Sequence, residues 1–208
     1  VSPDVAIHAL DGTLAVEGSL NMNNEAYDLA VNTSAFPIDA FLRDYPFGSL
    51  TASIGASGRG FDLFSPSTSL DASLAVDSLW YNFHKFTDIT ANAALHDSQF
   101  AIALASPNRI ADISANIDGS IDGDCLNYNL SSEIGALDMR RLALSADSLS
   151  VAADIKSNGI IDLPNGFYDC IATISGLSVN IGNEKLSAKQ IDMKFVADST
   201  STQFKASE

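Results

Sequence analysis

The sequence predicts an all-β protein, a long antiparallel meander of strands with one apolar face. Apolar and polar residues alternate through residues 110–134, on both sides of the pair Asp122-Gly123. A period of two is typical of a strand with one buried face, and Asp-Gly is a dipeptide that two-residue type I′ hairpins favour. The same unit recurs along most of the chain, and strands joined by short turns pair antiparallel.

The first quarter of the chain contains three such strands and then a break. Alternation predicts strands at residues 5–9, 14–22 and 27–31, with turns at Asp11-Gly12 and Asn23-Asn24. The apolar residues of segment 33–42 are then spaced as in a helix, and Pro37 suits a first helical turn. We therefore expect one short helix near residues 37–43, ending by Pro46.

A weak strand at residues 50–54 follows the predicted helix. Gly55, Gly58 and Gly60 come directly after it and predict a kink or bulge. Strong alternation then predicts further strands at residues 70–81, 89–95, 100–104 and in the hairpin of residues 110–134.

The last third of the chain repeats the pattern in shorter units. Alternation predicts strands at residues 142–146, 149–155, 177–181 and 186–197. Turn dipeptides occur at Asn158-Gly159, Asn165-Gly166 and Gly182-Asn183. We expect residues 1–197 to form a single domain and residues 198–208 to be a polar tail that frays.

Charge and composition exclude several classes of function. The formal net charge is −15, and a polyanion repels both nucleic acid and anionic membrane surfaces. No segment has the roughly 20 consecutive apolar residues of a transmembrane helix. The chain starts at Val1 with no initiator Met or basic leader, which we interpret as a fragment of a longer protein.

No cluster of residues predicts a reaction, a metal or a cofactor. Residues 118–123 match the first half of a calcium loop, but Asn129 stands where a bidentate Glu is required, so a hairpin turn is the preferred interpretation. The three histidines lie in separate units. Cys125 and Cys170 lack zinc-site spacing, and either one disulfide or two free thiols fits them.

One aromatic cluster, WYNFHKF, contains Trp80, Tyr81, Phe83 and Phe86. An exposed aromatic strip of this kind binds sugars or a protein partner, whereas a strand end anchored in the core is the preferred interpretation.

The order of these segments resembles a known family. A short helix after a strand (FPIDAFL), then GSLTASIGASGRG and DASLAVDSLWYNF, then hairpins rich in small residues, are similar to the TamB and AsmA-like proteins of bacterial envelopes, in particular the C-terminal part of Bacteroidetes-type TamB-like proteins. The resemblance covers residues 14–197. It implies a U-shaped sheet, the β-taco, with an apolar concave face.

The resemblance also implies a function. We expect a non-enzymatic periplasmic conduit for phospholipid or other acyl chains, or an outer-membrane assembly scaffold, anchored to the inner membrane in the full-length protein. A barrel protein of the outer-membrane assembly type would be its partner, and it would bind no nucleic acid. The residues expected to line the lipid groove are Leu74, Val76, Leu95, Ile102, Ile113, Ile117, Leu126, Leu130, Val151 and Ile155.

An alternative of a different class is a cell-surface adhesin or glycan-binding module, built as a closed β-sandwich or solenoid with Trp80 and Tyr81 as its platform. The two hypotheses differ in one structural feature. The adhesin requires a sealed core and exposed aromatic side chains, whereas the conduit requires an open apolar trough.

Overall fold

A computed structural model describes residues 4–9, 11–198 and 201–207, and it confirms the all-β antiparallel prediction. The strands form one sheet in the order β1-β2-β3-β4-β5-β7-β8-β9-β10-β11-β12-β13-β14, and the short β6 pairs with β5. The bounds are β1 Asp4–Ala9, β2 Gly12–Asn21, β3 Ala26–Pro37, β4 Phe47–Arg59, β5 Ser69–Tyr81, β6 His84–Phe86, β7 Ile89–His96, β8 Gln99–Asn108, β9 Ala111–Asp122, β10 Cys125–Asp138, β11 Leu149–Asp162, β12 Phe167–Ile181, β13 Glu184–Ala197 and β14 Thr202–Ser207.

The predicted short helix is a single 3₁₀ turn, Ile38–Ala40. Pro37 does not begin it as a helical residue, because its ψ of 91° is extended and it is the last residue of β3. The turn folds Phe41 back onto Phe36, and the two rings stack with centroids 5.2 Å apart.

The hairpin between β9 and β10 has the predicted position but a different turn. Asp122 pairs with Cys125, so the two central residues are Gly123 and Asp124. Of these two only Gly123 has a positive φ, of 58°, which is the type II′ pattern instead of type I′. The type I′ pattern occurs at Asp97-Ser98, where both φ angles are positive.

Three local predictions are wrong. Residues 142–146 lie in the loop between β10 and β11 instead of a strand. Asn158-Gly159 is no turn, because β11 continues through it. Gly55 and Gly58 lie inside an unbroken stretch of β4, whose pairing irregularities fall earlier, at residues 47–52.

The expected fraying of the polar tail is also corrected where the structure describes it. Thr202–Ser207 pairs antiparallel with β13 as the edge strand β14, with Phe204 opposite Phe195. All six residues of β14 are exposed. Residues 1–3, 10, 199, 200 and 208 of the predicted domain and tail lie outside the described residues.

The sheet is a single layer. Each strand makes its extensive contacts with the strands that it hydrogen-bonds to, and no second sheet covers either face within the described ranges. Few apolar side chains are buried as a result. These are Phe36, Ala52, Val76, Phe86, Leu95, Ala153 and Ala197.

β-bulges keep the apolar residues on one side of this sheet. Ile134 and Leu137 of β10 are three positions apart, which would normally place them on opposite faces. An extra residue between them allows both to pair with β9 residues of one face, Ile113 and Ala111. A similar irregularity in β12 has Gly176 at a φ of 61°. Without such bulges, an odd spacing would turn the apolar side chains to the opposite face.

Candidate apolar binding face

Cross-strand pairing shows which residues share a face, because residues directly opposite each other in an antiparallel pair have neighbouring Cβ atoms on the same side. One such row crosses the sheet from β2 to β13. It contains Val16, Val31, Ile54, Leu74, Ala91, Leu104, Ala115, Ser132, Ile155, Ile174 and Ile191. We call the side on which this row lies the apolar face.

All ten residues predicted from the sequence to line a groove lie on the apolar face. Leu74 and Ile155 belong to the row just described, and Ile102, Ile117 and Leu130 form part of the next one. The others occupy rows nearer the strand ends, which are those of Val76, Leu95, Ile113, Leu126 and Val151.

The middle of the apolar face is open to solvent. Ile54, Ile102 and Leu104 are 42%, 40% and 39% exposed, whereas Leu95 and Val76, nearer the strand ends, are only 5% and 7% exposed. Large aliphatic side chains with this much accessible surface form a contiguous apolar patch. Such patches are typical of binding surfaces.

The loop between β4 and β5 covers one margin of this face. Leu63 and Phe64 lie beside Leu95, Phe100 and Leu126 and line with them an open apolar pocket of about 300 Å³. Nearby, the ring of Phe61 stacks on Tyr27, with centroids 5.8 Å apart. The loop is held in a compact turn by the nearly buried Thr68, whose hydroxyl donates a hydrogen bond to the carbonyl oxygen of Asp62.

An aromatic cluster covers the opposite margin. The rings of Tyr45, Phe47, Tyr81 and Phe86 follow one another with centroid distances of 6.5, 5.1 and 6.5 Å. The Tyr81 hydroxyl donates a hydrogen bond of 3.2 Å to the carbonyl oxygen of Leu142, in the loop between β10 and β11. That loop therefore reaches back past the ends of β7, β8 and β9.

The other side of the sheet, the polar face, also has a concavity. Its volume is about 720 Å³, and it is lined by two rows of polar-face residues, among them Asp28, Ser57 and Asp71, and by the row between them, which contains Ile102 and Ile117. A second concavity of about 580 Å³ lies on the same face over β8 to β11. The concave apolar trough of a β-taco thus stays a prediction, while the apolar character of one face is established.

Glycine on the apolar face makes room for aromatic rings. A Cβ on Gly58 would lie 2.7 Å from the hydroxyl oxygen of Tyr27, and a Cβ on Gly119 would lie 2.6 Å from the ring of Phe100. The absence of a side chain at Gly58 and Gly119 therefore leaves room for the rings of Tyr27 and Phe100 beside the glycine backbone.

A small polar cluster interrupts the apolar face at β10 to β12. The hydroxyl groups of Tyr128 and Ser157 lie 3.0 Å apart, and Ser157 donates a hydrogen bond of 2.9 Å to the carbonyl oxygen of Ile171. Burial and a hydrogen bond with Cys170 raise the pKa of the Tyr128 phenol. The Tyr128 phenol is therefore neutral at physiological pH.

The two cysteines are free, and their positions exclude a disulfide within this chain. Cys170 is paired with Gly159 on the apolar face, whereas Cys125 precedes the apolar-face residue Leu126 and so lies on the polar face. The strand β11 lies between them. Burial and the carboxylate of Asp162 raise the pKa of the Cys125 thiol, which keeps it protonated and weakly nucleophilic.

Two carboxyl groups have lowered pKa values. Hydrogen bonds from the Thr173 hydroxyl, at 2.8 Å, and from the Gln190 side chain lower the pKa of Asp192. Hydrogen bonds from the side chain and backbone N–H of Asn165 lower the pKa of Asp162 at the β11–β12 turn.

Asp118 and His96, which stood out in the sequence, take part in local contacts within the sheet. Asp118 lies within β9 and accepts a hydrogen bond of 3.3 Å from Asn129, so the hairpin interpretation of the calcium-like segment is confirmed. His96 contacts Asp71 at 3.0 Å, with both side chains largely exposed. No group of three or more potential ligands among the described residues is arranged to hold a metal ion.

Two residues of the aromatic cluster WYNFHKF fit the interpretation of a strand end anchored in the core, and two fit that of an exposed aromatic strip. Tyr81 and Phe86 are anchored against neighbouring rings, and Phe86 is buried. Trp80 is 44% exposed and Phe83 is 95% exposed.

Sequence reasoning missed the connecting segments that cover the margins of the apolar face. The signal was available in the segment FDLF, since Phe61, Leu63 and Phe64 are large apolar residues in a connection otherwise rich in Ser and Gly. Large apolar residues inside a connection indicate that the connection packs against another apolar part of the protein.

Within the described part of the chain, no helix has the length and apolarity to cross a membrane. Comparison with family models, with curated proteins and with solved structures gave no match to this chain.

Proposed function

We propose that this protein is a non-enzymatic lipid-binding sheet whose apolar face holds the acyl chains of phospholipids or similar amphiphiles. One observation supports the proposal above all. The ten predicted lining residues share one face of a single-layer sheet, and three large aliphatic side chains at the centre of that face, Ile54, Ile102 and Leu104, are about two-fifths exposed.

The extent of the face suits a conduit better than a closed pocket. Thirteen strands lie side by side in the sheet, so a path across them is about 60 Å long at a spacing of about 4.8 Å. That is longer than a single acyl chain. Burying each methylene group there contributes about 0.8 kcal/mol, and no catalytic residue is needed.

The resemblance to the TamB and AsmA-like proteins supports the wider setting of the proposal. In that setting the protein lies in the periplasm, is anchored to the inner membrane through a part beyond this chain, and delivers lipid or assists outer-membrane assembly together with a barrel protein. The adhesin or glycan-binding alternative depends on a sealed core, and nothing in the described residues provides a second layer over the apolar face.

Site-specific photo-crosslinking in cells tests the proposal. A benzoylphenylalanine at Ile102, at the open centre of the apolar face, should capture lipid that mass spectrometry identifies after extraction. Ala103 is the matched control, because it is the next residue of the same strand and lies on the polar face. Capture at neither position, or equal capture at both, would contradict acyl-chain binding on this face.

A further inference from the structure

Three connecting segments meet at one end of the strands and form a second surface, which we call the three-loop platform. It consists of the β3–β4 connection (residues 38–46), the β5–β6 turn with its flanking residues (residues 80–85) and the β10–β11 loop (residues 139–148). The Asn82 backbone N–H donates a hydrogen bond of 2.7 Å to the Pro46 carbonyl oxygen, and the Asn82 side chain donates one of 2.8 Å to the Arg141 carbonyl oxygen. Asn82 thus joins all three segments.

The platform presents large apolar side chains directly to solvent. Phe83 is 95% exposed at its centre and lines a pocket on each side, one with Pro46 and Trp80, the other with Arg140 and Arg141. Further exposed apolar residues of the platform are Phe41, Leu42, Tyr45, Trp80 and Leu144. The solvent exposure of so many large apolar side chains has no explanation in the packing of the sheet.

The conformation of Phe83 is a second, independent observation. Asn82 and Phe83 have φ angles of 46° and 63°, the type I′ pattern. Asn suits the first position of this turn and Gly the second, whereas a bulky residue there is strained by about 1–2 kcal/mol. A strained, fully exposed Phe is unfavourable for folding, and strain of this kind occurs at functional sites.

Charge distinguishes this end of the strands from the other. Four of the 11 basic residues of the chain belong to the platform, which are Arg43, Lys85, Arg140 and Arg141. They balance the platform carboxylates of Asp39, Asp44 and Asp147 and that of the adjoining Asp138, which lies 3.5 Å from the Arg141 guanidinium. The connections at the opposite strand ends contain acidic residues such as Glu25, Asp62, Asp97 and Asp124 and no Lys or Arg, and they are bordered by Arg59, the last residue of β4.

From these observations we infer that the three-loop platform docks on the interface of a phospholipid bilayer. Exposed aromatic rings interleaved with arginines suit the headgroup region, where the rings enter the acyl boundary and the guanidinium groups contact phosphates. The sheet then meets the membrane with its strand ends, at its one locally neutral margin, although the whole chain has a net charge of −15.

Vesicle co-sedimentation of the 208-residue chain tests the inference. We expect binding to vesicles of phosphatidylcholine and phosphatidylglycerol. Phe83→Gly should weaken binding about tenfold, since one aromatic ring no longer enters the bilayer. Because glycine is the residue that this turn prefers, the same variant should be folded and at least as stable in thermal unfolding.

A charge variant supplies the second readout. Arg140→Gln should weaken binding to vesicles with phosphatidylglycerol about fivefold, and binding to pure phosphatidylcholine by less, because only the first carries a net negative surface charge. Lys156→Gln is its matched control, because Lys156 is exposed on the polar face far from the platform, and it should bind like the natural chain.

Two further variants make the experiment decisive. Met22→Gly removes an exposed apolar side chain, 67% accessible, from the opposite strand ends and should not change binding. Ile102→Ser alters the apolar face, so a loss of vesicle binding in Ile102→Ser as large as that in Phe83→Gly would place the vesicle contact on the apolar face instead of the platform. The inference is overturned if the natural chain does not sediment with vesicles, if Phe83→Gly binds normally, or if Met22→Gly loses as much binding.

Discussion

Replacing an apolar-face residue with aspartate should have an effect that depends on its position, because only part of this face is covered. Ile102 is 40% exposed at the centre of the face, whereas Leu95 is 5% exposed beneath the loop between β4 and β5. The substitutions Ile102→Asp and Leu95→Asp introduce the same charge into neighbouring strands and compare an open site with a covered one.

The magnitudes follow from burial. Full burial of a Leu or Ile side chain stabilises a protein by about 1.5–3 kcal/mol, so Ile102→Asp should cost about 1–2 kcal/mol, since its carboxylate still reaches water. Leu95→Asp loses the whole of this contribution and also buries an unpaired carboxylate, at a total cost of about 4–6 kcal/mol. That is close to the entire stability of many domains, which is about 5–15 kcal/mol.

Urea unfolding, followed by the fluorescence of the single tryptophan, Trp80, and by circular dichroism, measures both costs. With a denaturant slope of about 2 kcal/mol per molar, Ile102→Asp should lower the midpoint by about 0.5–1 M. Leu95→Asp should be largely unfolded without denaturant. If Ile102→Asp were as destabilising as Leu95→Asp, the centre of the apolar face would be covered in solution, and the open-face argument would fail.

Three more predictions use other parts of the sheet. Gly58→Ala should destabilise the protein by about 1–3 kcal/mol in the same urea assay, because the new methyl group meets the Tyr27 ring and the adjacent strand; unchanged stability would show that the strands move apart easily. Because the pKa of Asp192 is lowered in the folded protein, the unfolded chain binds a proton at this carboxylate at a higher pH than the folded chain does. The free energy of unfolding should therefore fall as the pH drops below about 4 through the folded pKa. Asp192→Asn should make this fall less steep in acid titrations followed by circular dichroism. Thiol titration of the unreduced, denatured chain should find Cys125 and Cys170 both free, and a value of zero would contradict their placement on opposite faces.

The period-two pattern contains most of the information about the fold because it is local. Side-chain direction alternates along any strand, so alternating apolar residues such as Ile113 and Ile117 must share a face whatever the tertiary arrangement. The neighbouring strands then align by burying those residues together, which is why Ile117 is opposite both Ile102 and Leu130. All ten lining residues could be assigned to one face on this basis.

The predictions for residues 142–146 and for Asn158-Gly159 were wrong because each local pattern is compatible with two different structures. The segment around Leu142 alternates like a strand, yet the backbone N–H of Arg141 bonds to the Asp138 side chain and that of Leu142 to the Asp138 carbonyl oxygen, which forms a turn. Gly159 follows an Asn as in a hairpin turn, but its lack of a side chain serves packing, because a Cβ there would lie 2.9 Å from the sulfur of Cys170. Local sequence does not distinguish these uses of glycine.

The sequence by itself determined the all-β class, the antiparallel order and the membership of the apolar face, since each depends on local alternation and on short connections. Only the tertiary structure decided which parts of that face are covered, that concavities of about 720 and 580 Å³ lie on the polar side, and that Asn82 joins three distant loops into one platform. These features depend on sheet twist and on contacts between residues up to about 60 positions apart in the chain, such as Tyr81 and Leu142. The residues next to Tyr81 and next to Leu142 in the sequence do not indicate that these two residues meet in the fold.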